Sequence, residues 1–307
     1  MFLRYNKKRI KKFAQWQRVP YRVKPMSQDE HECATCGRHY MGNYCPQCGQ
    51  SAKIGRYSLK NAFLLFIDVW GLGNRGMFRA IRDLMLRPGY MIRDYLRGMQ
   101  MAYFPPFKML FLICALSLLV ETGVNIQGIN RYELYMEKEK EYAQKKQAEA
   151  KADDTLTAAR KEAQVATYNI FYMLDDKARQ NPQLTVLVYM LLFSGPLYLM
   201  FRHCPAIPDL RFSECFVAMV YIINMLLIFI IIPSFLCFSF KAEAYFDLFV
   251  LFLAIIPIKQ LSGYSYWGTI WRIAVALIPL TIIVLTLLVV IMFLYIMLHP
   301  ELFEHLA

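Results

Sequence analysis

The sequence predicts an all-α membrane protein in which about five transmembrane helices follow a small cytosolic zinc ribbon and amphipathic interfacial helices. Three observations support this fold class. Hydrophobic residues make up 57% of the 307 residues, above the roughly 45–50% of soluble domains. Four cysteines form two C-x-x-C pairs near the N-terminus. Residues 1–103 hold 19 Lys/Arg and 6 Asp/Glu, whereas the remainder holds 16 and 17.

The first segment, residues 1–32, is a basic arm. It begins MFLRYNKKRIKKFAQWQR and lacks the long apolar core of a signal peptide, so we expect the first span to act as an uncleaved anchor. Its lysine-rich cluster, with Phe13 and Trp16 nearby, predicts a short helix on anionic lipid headgroups, although a solvated tail fits equally. The basic charge is explained by the positive-inside rule, so we expect no nucleic-acid partner.

Residues 33–52 have the spacing C-x2-C-x8-C-x2-C. The four cysteines are Cys33, Cys36, Cys45 and Cys48. Four thiolates converging in a tetrahedron suit Zn²⁺, and glycine follows each pair, at Gly37 and Gly49, where positive φ favours tight turns. We expect bound zinc; two disulfides or four free thiols are the alternatives, and a cytosolic location disfavours disulfides.

We expect the zinc ribbon to have a structural or partner-binding role rather than a catalytic one. A catalytic zinc keeps an open coordination position, whereas four thiolates fill the site. For the same reason His31 and His39, which lie close by in the sequence, are not expected to be ligands.

Residues 54–101 predict three amphipathic helices, over 58–70, 75–87 and 90–99. Apolar residues recur there at helical spacing, with arginines on the opposite face. The residues expected at the membrane interface are Trp70, Arg75, Arg79, Arg82 and Arg87. Cationic faces opposite bulky apolar ones suit helices lying on a membrane; a small helical subdomain packed on the cytosolic ends of the spans is the alternative.

These motifs together resemble a known family. The cysteine ribbon ending C-G-Q, the segment R-P-G-x-x-I-R-D-Y-L-R-G over residues 87–98, and Tyr103-Phe104-x-Pro106 entering a span are similar to an uncharacterised bacterial family of multi-span membrane proteins, domain of unknown function 3667. The resemblance covers roughly residues 33–120. It implies a bacterial inner-membrane protein and supplies no activity.

Five hydrophobic segments predict the transmembrane domain, residues 103–301. The segments cover residues 103–124, 184–201, 216–240, 245–258 and 273–298. The first has a charge-free run of only 12 residues, so a re-entrant hairpin is its alternative. Between the first two lies a charged loop, 121–183, predicted to be a solvated extracytoplasmic helix. Loop charges predict a cytoplasmic N-terminus and a periplasmic C-terminus.

Few polar groups are expected inside the membrane. Asn224 is the one amide well within a predicted span and predicts either an interhelical hydrogen bond or part of a polar path. No catalytic motif is present in the sequence. We therefore expect a non-enzymatic protein that docks a protein partner, a second copy or the membrane face. The alternative is a lipid or small-molecule transporter with a groove between helices kinked at Pro233 and Pro279.

Overall fold

The computed structural model describes residues 2–22, 25–26, 28–50, 52, 75–152 and 158–298. The chain divides into two compact units, Met1–Pro105 and Pro106–Ala307. The predicted helix over 58–70, with the interfacial Trp70, lies outside the described residues.

The first unit begins with helix α1 (Phe2–Gln17). Its residues 8–16 are all exposed. The exposed side chains include Ile10, Phe13 and Trp16, and the last two rings stack with centroids 5.7 Å apart. The side chain of Gln17 donates to the carbonyl of Leu86 at 2.6 Å, so the C-terminal end of α1 is tethered to the helices that follow.

From residue 75 onward the first unit contains two short helices, α2 (Arg75–Leu86) and α3 (Pro88–Leu96). Helix α2 buries Met77, Ala80 and Leu84, which recur at helical spacing on one face as the sequence predicts. Pro88 opens α3, where its missing N–H costs no hydrogen bond. A 3-10 turn (Gln100–Ala102) follows.

Arg87, at the junction of α2 and α3, corrects one prediction. It was expected at the membrane interface, but it is buried, with 2% exposure. Its guanidinium pairs with Asp94, lies 3.8 Å from Asp83 and donates to the carbonyls of Gln17, at 3.1 Å, and Val19. The Nη1 and Nη2 atoms find acceptors, and Nε is buried without a hydrogen bond to any described residue, with the Asp83 carboxylate at 3.8 Å. Partners from such distant segments are not revealed by the helical periodicity of α2.

The other predicted interfacial arginines lie on α2. Arg75 is its first residue. Arg79 covers the ring of Tyr21 at 3.7 Å from the centroid and donates to the carbonyl of Ala102 at 2.8 Å. Arg82 keeps 55% of its side chain exposed while it pairs with Asp83 at 2.7 Å; its place at a membrane interface stays a prediction.

The second unit contains helices long and apolar enough to cross a membrane. Its helices are α4 (Pro106–Glu121), α5 (Arg131–Ala152), α6 (Ala158–Gln180), α7 (Pro182–Phe201), α8 (Phe212–Phe235), α9 (Phe240–Leu253), α10 (Ile255–Ser262) and α11 (Tyr266–Leu298). Within the residues that the structure describes, five helices are candidate spans by length and composition. They are Gln100–Glu121, Pro182–Phe201, Phe212–Phe235, Phe240–Ser262 and Tyr266–Ile291. This confirms the predicted fold class. The fourth span is longer than expected and is interrupted at Ala254, between α9 and α10.

Helix α8 is the centre of the second unit, packed against α4, α7 and α9. Its residues Val220, Tyr221 and Ile222 are at most 1% exposed. Asn224, on the same helix, is fully buried and donates its side-chain amide to the carbonyl of Pro106 at 3.0 Å. This hydrogen bond joins α8 to the first residue of α4. It is the interhelical hydrogen bond that was one of the two expectations for Asn224.

The charged loop over 121–183 is a pair of helices rather than one. Helices α5 and α6 pack against each other. The hydroxyl of Tyr132 donates to Asp176 at 3.2 Å, and the Gln147 amide donates to Asn169 at 2.8 Å. Because the beginning of α5 contacts the end of α6, the two helices form an antiparallel hairpin.

Each connector between spans contacts the next connector but one along the chain. At the base of the hairpin, Arg131 pairs with Glu243, at the start of the fourth span, at 2.5 Å. At a different set of helix ends, the backbone N–H of Ala206, after the second span, donates to the carbonyl of Ser262, after the fourth, at 3.0 Å. The connector after the first span therefore contacts the connector after the third, and the connector after the second contacts the one after the fourth. Helices that cross a membrane five times in succession have this arrangement.

Replacing Arg87 tests the buried ion-pair cluster. We expect Arg87→Ala to lower the opening free energy of α2 and α3 by about 3–5 kcal/mol, because it leaves buried carboxylates uncompensated. Hydrogen exchange of the α2 and α3 amides in the full chain measures this change. The control, Arg82→Ala, removes an exposed partner and should cost at most about 1 kcal/mol; equal effects of the two variants would contradict the assignment.

Candidate metal centre

A two-stranded hairpin positions the cysteine ribbon. Strands β1 (Glu30–Glu32) and β2 (His39–Met41) pair antiparallel, with His31 opposite Tyr40. The first C-x-x-C pair lies in the turn between them. Tyr40 packs with Cys33, Cys45 and the partly buried Ala52 in a very small core. Since the described residues add no further side chains to that core, we expect the ribbon to need another source of stability.

The two C-x-x-C turns have the same backbone hydrogen bonds. In each, the first cysteine donates its N–H to the carbonyl five residues later, at 3.0 Å from Cys33 and 2.8 Å from Cys45. Its carbonyl accepts from the glycine four residues later, at 2.8 Å for Gly37 and 2.9 Å for Gly49. These glycines have φ of 69° and 76°, the left-handed conformation that the sequence predicts there.

The four sulfurs lie together at the open side of these turns. All ligand atoms of Cys33, Cys36, Cys45 and Cys48 are within 4.8 Å of one another. The Cys33 and Cys48 sulfurs are 3.4 Å apart, and those of Cys36 and Cys45 are 3.6 Å apart. A tetrahedron with metal–sulfur bonds of about 2.3 Å has edges of about 3.8 Å. The group is therefore compatible with a metal ion.

The same distances bear on the disulfide alternative. A disulfide bond is about 2.05 Å long, and all four of these thiols are free. The ribbon is thus arranged around four separate sulfurs that converge on one point, rather than around two covalent links.

Backbone N–H groups influence the state of the thiols. The N–H of Cys36 approaches the sulfur of Cys33 and lowers the pKa of that thiol to about 6. The N–H of Gln50 also acts to lower the pKa of Cys48, but the neighbouring sulfur of Cys33 and desolvation outweigh it and raise that pKa to about 12. Protons are therefore held unevenly among the sulfurs, and a bound cation would replace them.

The two nearby histidines do not belong to this group. His31 contacts the ring of Tyr40, with centroids 5.7 Å apart, and His39 is exposed on β2. Among the residues that the structure describes, the metal-binding arrangement of three or more such side chains consists of the four cysteines alone.

The buried cluster of Asp83, Arg87 and Asp94 was missed by reading the sequence. Burial raises the pKa of Asp94, and Arg87 opposes that rise. Two signals were available: Asp83 and Arg87 are four residues apart, the spacing of a helical ion pair, and Asp83 interrupts the apolar face of α2. The structure does not bring this cluster into the cysteine group; it joins α2, α3 and the segment after α1 instead.

Fold and site together define a helical protein of membrane type with a four-cysteine group able to hold a metal ion. The family model described as "Protein of unknown function (DUF3667)" matches residues 74–118. That segment contains α2, α3 and most of α4, and the match confirms the family resemblance seen in the sequence. Neither the curated proteins nor the solved structures compared with this chain gave a match.

Substituting Cys48 separates metal binding from packing. Cys48 is exposed, so Cys48→Ala removes one sulfur without opening the small core. We expect the full chain to lose its single equivalent of metal, measured by elemental analysis of the purified protein. Cys114→Ala, at a buried cysteine of α4, is the matched control and should retain it. Full metal content in Cys48→Ala would show that the cysteine group is not the binding site.

Proposed function

We propose that this chain is a non-enzymatic protein of the bacterial inner membrane, and that its zinc ribbon and amphipathic helices form a cytosolic docking module. The single observation that carries the proposal is helix α1, which presents aromatic and basic side chains and is exposed at every residue from 8 to 16.

Residues 8–16 of helix α1 are exposed, so this part of the helix buries no apolar face. The helix has 16 residues, and isolated helices of about this length are marginal in water. Its exposed apolar residues Ile10, Phe13 and Trp16 follow one another every three positions. Its basic residues are Arg4, Lys7, Lys8, Arg9, Lys11 and Lys12. Such a helix gains stability when its apolar side chains enter an anionic membrane surface or a partner's groove.

The attachment of α1 supports this role. Its last residue, Gln17, is held by Leu86 and by buried Arg87, so the helix extends from a defined point. A rigid attachment limits the entropy that docking costs. A protein partner or a second copy of the chain would be recognised by the same aromatic residues, with its acidic groups facing the lysines.

Zinc is the metal that this site suits best. Four thiolates favour a soft or borderline tetrahedral ion, and a reducing cytosol keeps them available. When bound, zinc would supply cross-linking rather than catalysis, because Cys33, Cys36, Cys45 and Cys48 complete its coordination. The ribbon's core around Tyr40 is too small to fold without it.

The orientation follows from charge at the two sets of connectors. The connectors that meet through Ala206 and Ser262 are flanked by Arg202, Arg211, Lys259 and Arg272. Where the hairpin base meets the fourth span, Arg131 is balanced by Glu243. The positive-inside rule then favours a cytoplasmic N-terminus and a periplasmic hairpin and C-terminus.

The transporter alternative has less support. Asn224 and Pro233 are buried, so neither lines a described groove. A cavity between α7, α8 and α10, lined by Leu197, Cys215 and Ile258, has a volume of about 30 Å³, which suits a single water rather than a lipid chain.

Photocrosslinking tests docking by α1. We expect a benzophenone-bearing residue at position 13 to form an adduct with lipid or with one protein in intact cells, because Phe13 lies on the docking face. The same residue at position 11, on the opposite face of the helix, is the control. Mass spectrometry of the adducts distinguishes membrane from protein. Equal, weak labelling at both positions would remove the basis of the proposal.

Cysteine labelling tests orientation. In intact cells, a membrane-impermeant maleimide should label Lys145→Cys, an exposed position of α5, because the hairpin is periplasmic. Arg18→Cys, just after α1, should be labelled only after the inner membrane is permeabilised. The reverse pattern would place the ribbon outside the cytosol and overturn the reducing environment on which zinc binding depends.

A further inference from the structure

A groove of about 610 Å³ lies where the base of the α5–α6 hairpin meets the turn between α8 and α9. Its volume falls in the range of about 300–1,000 Å³ that small-molecule sites occupy. One wall is the first two turns of α5, and the other is residues 237–241. Both walls belong to the second unit, so the groove is separate from the N-terminal docking module.

The charges of the groove are mostly positive. Arg131, Lys138 and Lys241 line it, against the single carboxylate of Glu139. Arg131 is engaged by Glu243 and by the carbonyl of Phe238 at 3.0 Å, so it serves to hold the two walls together.

The two lysines have a different role. Neither Lys138 nor Lys241 forms a salt bridge within 75–152 and 158–298. Lys138 lies over the ring of Phe240, with its Nζ 4.3 Å from the centroid, which keeps its ammonium at the groove. The two lysines lie on opposite walls of the groove.

The remaining lining is apolar and partly exposed. Leu134 and Phe238 each keep 40% of their surface exposed, and Ile129 also faces the groove. The turn that contributes Phe238 joins two candidate spans, Phe212–Phe235 and Phe240–Ser262. The groove therefore lies where the apolar helices end, the level at which lipid phosphates and the first acyl carbons occur.

We propose that this groove binds an anionic phospholipid of the surrounding leaflet. Lys138 and Lys241 would attract the phosphate, and Leu134 and Phe238 would contact the adjoining glycerol and acyl carbons. A soluble anion would use the two ammonium groups but gain nothing from the apolar lining. This combination of charges and apolar surface, at the end of two spans, favours the lipid.

Native mass spectrometry of the full chain tests the proposal. Detergent-solubilised protein is titrated with phosphatidylglycerol, with phosphatidylcholine of the same chains, and with glycerol phosphate. We expect one phosphatidylglycerol to be retained preferentially. In Lys138→Gln/Lys241→Gln its affinity should fall about 30-fold, the effect of two lysines at a membrane surface. Lys140→Gln/Lys145→Gln, the same charge change elsewhere on α5, should leave it unchanged.

Three outcomes would overturn the proposal. They are equal retention of phosphatidylcholine, glycerol phosphate binding as tightly as the lipid, and equal losses in the two double variants. Should the groove variant fold poorly, the unaltered protein gives an independent readout. Retention of phosphatidylglycerol by the wild type should weaken as salt rises, and salt-independent retention would contradict an electrostatic site. Because the α1 residues are unchanged throughout, failure here leaves the docking proposal intact.

Discussion

The buried guanidinium is the constraint on which both units depend. Arg87 and Arg131 are 2% and 4% exposed, and taking such a group out of water costs several kcal/mol unless acceptors surround it. Each arginine therefore binds at least one carboxylate and at least one backbone carbonyl distant in sequence. Arg87 holds the segment after α1, and Arg131 holds the turn before α9. Arginine suits both positions because its planar fork reaches several acceptors at once.

Within the second unit, the centre is set by the packing of α8. That helix is surrounded by α4, α7 and α9, and about half of its most apolar window is buried, against 6% for the last span. Lipid tails are as apolar as the side chains of a span, so moving a side chain from lipid into the protein gains little free energy. Close packing and hydrogen bonds therefore hold spans together. Asn224 supplies one such bond at the start of α4.

The sequence predicted the features that depend on local pattern. Apolar length predicted five spans, cysteine spacing predicted the sulfur group, and Gly37 and Gly49 predicted the left-handed turns. It failed where partners come from distant segments. Arg87 looked like its neighbours Arg79 and Arg82, because helical periodicity does not show that Gln17 and Val19 supply carbonyls. The α5–α6 hairpin was missed likewise: its contacts are polar pairs such as Gln147 and Asn169, which leave no apolar repeat.

The repeated turn of the ribbon has a consequence for biogenesis. Each C-x-x-C turn closes with hydrogen bonds between residues at most five positions apart, and the group is complete by Ala52, well before the first apolar helix. Structures with such local contacts form quickly. A metal ion held by this group would therefore be captured while the ribosome is still translating, before the first apolar helix is made. Metal supply at the nascent chain would then decide whether the ribbon matures.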